Sequence, residues 1–221
     1  MRTTCVPLGD REIIVAHPAN ADDLISEADY VLDERLPYWA DLWPSSRVLA
    51  ERLLREVGGG RRVLELGCGM GLVSTAAAMA GFRVTATDYY VDACAFARLN
   101  AWDNTHREIE TRLLNWRQLP SDVGRWDVVV ASDVLYELPY AEVVAEVLLR
   151  TLATNGFALI ADPGRLALGA FVQACVVRGL AVGAPEHVPW EEGTQKQVIQ
   201  LLVVQHGAAP DAGAAAQAVA R

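Results

Sequence analysis

The 221-residue chain contains one lysine, Lys196, and its 19 basic residues are outnumbered by 28 acidic ones, for a formal net charge of −9. This balance argues against a general nucleic-acid binder, because neutralising phosphates requires a basic surface. The negative net charge does not exclude a basic protein as the substrate. No apolar run approaches the roughly 18 residues of a membrane span, so no membrane contact is expected. The first residues, MRTTC, lack the apolar core of a secretory signal, and we expect a cytoplasmic protein.

Metal-ligand and disulfide patterns are also missing from the sequence. The four cysteines lie far apart, form no CxxC pair and have no histidine at ligand spacing. We therefore expect reduced, buried thiols and no metal site. The four histidines are scattered and are expected to be surface or loop residues: His17, His106, His187 and His206.

The chain divides into three parts by pattern. Residues 1–36 are expected to form an N-terminal extension with a β-hairpin around Gly9-Asp10 and a short helix over 22–28. Residues 37–206 are expected to form one globular domain, since 52% of the chain is hydrophobic. Residues 207–221 are rich in alanine with proline and glycine, which predicts a disordered tail.

From residue 61 onward, short β-prone runs alternate with helical segments. This alternation predicts an α/β fold, a Rossmann-like sheet of seven mostly parallel strands with helices on both faces. The expected strands are 63–66, 82–87, 109–114, 126–132, 157–161, an extended segment over 180–188, and 198–204. The first expected helix begins at Pro44, and four further helices are expected over 72–80, 91–102, 139–152 and 167–178.

A glycine-rich turn follows the first of these strands. It reads Glu65-Leu-Gly67-Cys-Gly69-Met-Gly71 and opens a helix, and an acid, Asp88, ends the next strand. Glycines allow a tight turn and the close approach of a ligand. A carboxylate at the end of the second strand can accept hydrogen bonds from two ribose hydroxyls. This arrangement predicts a nucleoside-binding site.

The details of the turn favour one class of nucleoside. The dinucleotide pattern GxGxxG fails because Leu72 occupies the place of its third glycine. A helix N-terminus suits a pyrophosphate, but the added negative charge of Glu65 does not. A carboxylate does suit a ligand with an ammonium and a sulfonium, which is S-adenosylmethionine. An NAD-linked oxidoreductase is the competing hypothesis, and competition binding separates the two.

The turn resembles motif I of class I (seven-β-strand) methyltransferases. The segment Tyr38-Trp39-Ala-Asp-Leu-Trp43-Pro44 and the run Ala131-Ser-Asp133-Val-Leu-Tyr136 are similar to methyltransferase family 16, which contains many protein-lysine methyltransferases and has a D-x-x-Y signature after the fourth strand. Within it the chain most resembles the electron-transfer-flavoprotein β-subunit lysine methyltransferase branch, with its nicotinamide N-methyltransferase-like bacterial relatives. The resemblance covers about residues 36–204.

The resemblance implies a set of cofactor-binding residues. The glycines would line the methionine and ribose side, Asp88 would hold the ribose, and Trp43 would lie near the methionine moiety as a cation–π partner. Asn115 would reach the adenine amine and Trp116 would stack on the ring, although Trp116 is equally consistent with a core anchor. The full set is Trp43, Glu65, Gly67, Gly69, Gly71, Asp88, Asn115, Trp116 and Ser132.

The same resemblance implies that Asp133 and Tyr136 carry the chemistry. Asp133 would orient the incoming amine through a charge-assisted hydrogen bond, and Tyr136 would add a cation–π wall or a phenolic hydrogen bond. Asp133 as a helix N-cap, Tyr136 as a packed aromatic, and Glu137 as the orienting carboxylate remain alternatives.

The resemblance thus implies an S-adenosylmethionine-dependent N-methyltransferase that acts on a protein lysine and releases S-adenosylhomocysteine. Two alternatives remain open: a methyltransferase for a small amine or heteroaromatic nitrogen, and a cofactor-sensing interaction protein with little catalysis. A monomer is expected.

Overall fold

The computed structural model describes residues 1–19 and 37–207. The helix expected over 22–28, and the expected disordered tail beyond Gly207, lie outside the described residues. Among the described helices, none combines the length and apolar character that a bilayer crossing requires.

A central sheet of eight strands organises the chain. The strands are β3 (Arg62–Leu66), β4 (Arg83–Asp88), β5 (Glu110–Leu113), β6 (Trp126–Ser132), β7 (Leu152–Asp162), β8 (Leu180–Val182), β9 (Glu186–Glu192) and β10 (Gln195–His206). Along the main path of the sheet seven of them run in the order β5-β4-β3-β6-β7-β10-β8, and β9 pairs with the first part of β10. The pairs among β3 to β7 are parallel and those of β10 are antiparallel. The Rossmann-like sheet predicted from the sequence is thereby confirmed.

Helices cover both faces of the sheet. They are α1 (Pro44–Leu54), α2 (Leu72–Met79), α3 (Val91–Thr105), α4 (Leu138–Thr151) and α5 (Leu166–Val177). Alternate strand residues point to opposite faces, so Val63 joins one apolar cluster with α1, α2 and α3, while Leu64 joins the other with α4 and α5. The near-continuous apolar strands follow from this burial on both sides.

The N-terminal hairpin, β1 (Arg2–Leu8) and β2 (Arg11–His17), turns at Gly9 and Asp10 as predicted. Its inward side chains, among them Val6 and Ile13, share the core that contains α1 to α3. Asn100 of α3 ties it down, because its side-chain amide donates to the Ala16 carbonyl at 2.9 Å and to the Met70 carbonyl at 2.8 Å. The hairpin is therefore connected to the glycine turn through one buried amide.

Candidate active site

A cavity of about 530 Å³ opens at the carboxyl edge of the sheet, beside the point where the strand order reverses between β3 and β6. Ligands of open α/β sheets bind at such switch points. Ten of the eleven residues predicted for the site line it: Trp43, Glu65, Gly67, Gly69, Asp88, Asn115, Trp116, Ser132, Asp133 and Tyr136.

Gly71 is the predicted residue that does not line the cavity. It has a φ of 78° at the start of α2, and a Cβ there would lie 2.5 Å from Cα of Ala97. Glycine is therefore required at this position for backbone conformation and for close packing of α2 on α3. Gly69 differs, since it lines the cavity and a Cβ there would lie 2.9 Å from the Trp39 carbonyl oxygen.

Asp88 is held at the end of β4 by backbone amides. Its Oδ2 accepts from Gly69 N at 2.9 Å and its Oδ1 accepts from Tyr90 N at 3.1 Å. Burial raises the pKa of this carboxyl, whereas the amide hydrogen bonds lower it. Each carboxylate oxygen can accept a further hydrogen bond, so the group can still take two hydroxyl donors.

Glu65 is almost fully buried and accepts a hydrogen bond from the hydroxyl of Ser74. Burial raises the pKa of Glu65 to about 8, against the lowering effect of Ser74. At pH 7 its carboxyl is consequently mostly uncharged, which weakens the sequence argument that its charge repels a pyrophosphate. The stronger argument against a dinucleotide is Leu72 in the place of the third glycine of GxGxxG, because Asp88 would bind the ribose of either class of nucleoside.

Asn115 and Trp116 follow β5. The side-chain oxygen of Asn115 accepts from Arg117 N at 3.0 Å and so caps the short 3₁₀ turn over Trp116–Gln118. The Trp116 ring packs beside Gly67, where a Cβ would lie 3.4 Å from the ring, and its buried Nε1 has no hydrogen-bond partner among the described residues. The ring therefore forms a wall of the cavity and also packs edge-on against Tyr140 at 5.9 Å.

Aromatic rings continue from Trp116 along the cavity. Tyr140 packs against Tyr136 with centroids 4.5 Å apart, Tyr136 lies 6.3 Å from Tyr38, and Tyr38 lies 6.1 Å from Trp43. Trp43 is oriented by its Nε1, which donates to the Tyr38 carbonyl at 2.9 Å. We call Trp116, Tyr140, Tyr136, Tyr38 and Trp43 the aromatic arc. Trp39 also lines the cavity, but it is 9% exposed and packs on Phe96.

Asp133 follows β6 directly and does not cap a helix, because α4 begins five residues later with Glu137 at its N-cap. The helix-cap alternative for Asp133 is thus wrong. Its Oδ1 forms an ion pair with Nη1 of Arg165 at 2.7 Å. Glu137 also lines the cavity, but it is exposed and its side chain makes no cap hydrogen bond.

Sequence reasoning missed Arg165 and the tyrosines 38 and 140 of the aromatic arc. The segment Asp162-Pro-Gly-Arg165 lies at the end of β7, and only the fold brings it beside Asp133. Elsewhere in the described chain, no cluster of three or more potential metal-ligating side chains occurs. The four cysteines are free thiols, of which Cys5 is exposed.

Comparison with known proteins bears on the same region. The family model for lysine methyltransferases matches residues 38–166. The electron transfer flavoprotein beta subunit lysine methyltransferase of Xenopus laevis is 35% identical over 133 residues, covering 58% of this chain and 53% of that protein. The chain thus spans about half the length of the relatives it matches.

Solved structures share the fold. A ribosomal protein L11 methylase from Lactobacillus delbrueckii subsp. bulgaricus superposes with a TM-score of 0.56 and 21% identity, covering 74% of this chain and 79% of the other. SMU.776 in complex with SAH superposes with a TM-score of 0.59 and 13% identity, covering 74% of this chain and 50% of the other. At these identities the likeness concerns architecture alone.

Proposed function

Since the chain belongs to the lysine methyltransferase family, we propose that it transfers a methyl group from S-adenosylmethionine to a lysine side chain of a protein. The observation that carries the proposal is a cavity that has Asp88 on the nucleoside side and Asp133 with Tyr136 on the other. The relative from Xenopus laevis, named for a protein-lysine activity, supports it over a small-molecule acceptor. A monomeric, cytoplasmic protein without nucleic-acid or membrane partners stays the prediction from the sequence.

The residues present fit S-adenosylmethionine. The turn over 65–73 contains no basic side chain for a phosphate, and Asp88 offers a carboxylate with acceptor capacity for a ribose. The ring of Trp116 lines the cavity and presents a flat apolar face on which an adenine can stack. When bound, this cofactor supplies a methyl group on a sulfonium, which is a good leaving group.

The nucleoside side of the cavity binds and orients. Asp88 would accept hydrogen bonds from the ribose hydroxyls, while Gly69 N holds its carboxylate in place. Trp116 offers a flat face to the adenine. Asn115 contributes less than the resemblance implies, because its side-chain oxygen already caps the following turn.

The acceptor side orients the amine. Asp133 accepts a hydrogen bond from the lysine nitrogen, and the ring of Tyr136 covers the approach and helps to exclude water. A lysine side chain has an ordinary pKa of about 10.4, so it must lose a proton to solvent before its lone pair attacks the methyl carbon. The bound cofactor would supply the methyl carbon, and its sulfur would keep the electron pair of the broken carbon–sulfur bond.

The test is a transfer assay with methyl-labelled S-adenosylmethionine. The first acceptor is purified electron transfer flavoprotein beta subunit, chosen from the names of the relatives, and the second is a lysate. We expect a labelled protein band whose label maps to lysine, strongly reduced by Asp133→Asn and unchanged by the exposed control Asp122→Asn. Label found only on small molecules, or no label on any acceptor, contradicts the proposal.

A further inference from the structure

Asp133 has an unusual backbone conformation. Its φ is 59°, in the left-handed region that non-glycine residues rarely adopt. Its backbone N–H donates to the Ala161 carbonyl of β7 at 3.0 Å, which fixes this conformation. Such positions cluster at functional sites, because the surrounding structure must stabilise them. Here β7 is the supporting element.

Arg165 reaches Asp133 from the start of α5. The fully buried Asp162 at the end of β7 accepts from the backbone N–H of Gly164 at 2.8 Å and of Arg165 at 2.7 Å. Its other oxygen lies 3.0 Å from Nη1 of Arg165. One carboxylate therefore anchors both the backbone and the guanidinium of Arg165.

The two oxygens of Asp133 differ in their surroundings. Oδ1 is paired with Arg165, whereas Oδ2 is buried and, like the nearby hydroxyl of Ser45, forms no hydrogen bond in the described part of the chain. The side chain as a whole is 8% exposed. Leaving a buried acceptor without a donor is unfavourable, so Oδ2 points to a donor that a bound molecule supplies. An amine has the required chemistry.

We propose that Arg165, anchored by Asp162, is a positioning residue that holds Oδ1 of Asp133 so that Oδ2 receives the incoming amine. The inference rests on the proposed function, which makes an amine the acceptor. It assigns no chemical step to Arg165 itself, since the guanidinium remains protonated throughout.

The positive charge of Arg165 also affects how strongly Asp133 favours the protonated form of the amine. Burial and Asp162 raise the pKa of Asp133, while Arg165 and the hydroxyl of Ser45 lower it. The guanidinium thus favours an ionised Asp133, yet it also partly neutralises the carboxylate that the amine approaches. An amine near this pair is oriented without being strongly held in its charged form. The groups that face Asp133 are Arg165, Asp162 and Ser45.

A double-mutant cycle of methyl transfer tests the inference. Asn tolerates the left-handed conformation, so Asp133→Asn removes the carboxylate without adding backbone strain. We expect Arg165→Met to lower kcat by about 10- to 100-fold in the native background and by less than about 2-fold in the Asp133→Asn background, since it acts through Asp133. Arg165→Lys should recover part of the loss. An equal loss in both backgrounds overturns the inference.

Two controls keep the readout specific. Arg178→Met makes the same change at the other end of α5, where Arg178 pairs with Glu142 and Glu146 outside the cavity, and it should leave kcat unchanged. Binding of S-adenosylhomocysteine should stay within about twofold for Arg165→Met, because Arg165 acts on the acceptor side.

A measurement that needs no turnover separates this inference from the proposed function. Carboxyl NMR of aspartate-labelled protein should show a higher pKa for Asp133 in Arg165→Met than in the native chain, and an intermediate one in Arg165→Lys. A carboxyl that titrates identically in all three overturns the Arg165 inference. Absence of methyl transfer by the native chain, with the carboxyl shift present, instead overturns the proposed function.

Discussion

The backbone amide of Gly69 donates a 2.9 Å hydrogen bond to Oδ2 of Asp88. This bond joins the glycine turn after β3 to the carboxylate at the end of β4, two parts of the chain nineteen residues apart. The conformation of the turn and the orientation of the acid are therefore set together. The glycine turn and Asp88 would contact the same nucleoside from different sides.

Asp88→Ala should weaken binding of S-adenosylhomocysteine. Hydrogen bonds to a charged group contribute about 1.5–3 kcal/mol, so the dissociation constant should rise by roughly one to two orders of magnitude. Titration calorimetry measures it. Asp92→Ala, an exposed acid in the first turn of α3, is the matched control and should bind normally. Equal affinities of the two variants would remove Asp88 from the site.

Glu65→Gln should change the pH dependence of stability. The pKa of Glu65 is raised from its ordinary value of 4.5 to about 8 by burial. Its stabilising contribution is therefore complete below pH 4.5 and is lost as the pH rises through 8, by up to about 1.4 kcal/mol per pH unit. The variant stays neutral, so its free energy of unfolding relative to the native chain should be greater at pH 8.5 than at pH 5.5. Urea denaturation at both values decides, and a constant difference contradicts the burial argument.

Gly71→Ala should destabilise the fold more than Gly59→Ala. Both positions have positive φ, but a Cβ at Gly59 meets no described residue within 4 Å, whereas one at Gly71 would overlap Ala97. Gly59→Ala should cost about 1–2 kcal/mol from the backbone alone. Gly71→Ala adds steric overlap between α2 and α3. Chemical denaturation gives both values, and equal costs would show that α2 shifts without penalty.

Trp116→Phe should preserve binding of S-adenosylhomocysteine to within about twofold if the flat ring face is what matters. Trp116→Leu should weaken it, because the leucine side chain offers no ring to stack against. Trp102→Phe and Trp102→Leu, at a 47% exposed position on α3, are the matched pair and should both bind normally. A loss in Trp116→Phe as large as in Trp116→Leu would show instead that the buried Nε1 donates to the ligand.

Most of the fold was predictable because apolar periodicity determines it. Strand β6 was predicted with its exact bounds, and the hairpin was placed by Gly9 and Asp10. The extended segment over 180–188 is instead two strands, β8 and β9. Strand β9 is mostly exposed, so periodicity carries little signal there. Pairing with β10 and the ion pair of Arg47 with Glu192 specify it.

The site was predictable to the extent that its residues follow strands. The carboxyl ends of parallel strands meet at one edge, which brings Glu65, Asp88 and Asp133 together. Arg165 was missed because its partner Asp133 lies 32 residues earlier, and only the pairing of β6 with β7 brings them together. An acid that ends a strand and is followed by Pro-Gly-Arg is the local signal that was available.

Calorimetric titration of the native chain with S-adenosylhomocysteine, and separately with NAD, tests the central claim most directly. The account predicts one saturable site for S-adenosylhomocysteine and no heat of binding for NAD, because Leu72 stands where the dinucleotide turn requires its third glycine. Saturable binding of NAD, with none of S-adenosylhomocysteine or S-adenosylmethionine, would contradict it.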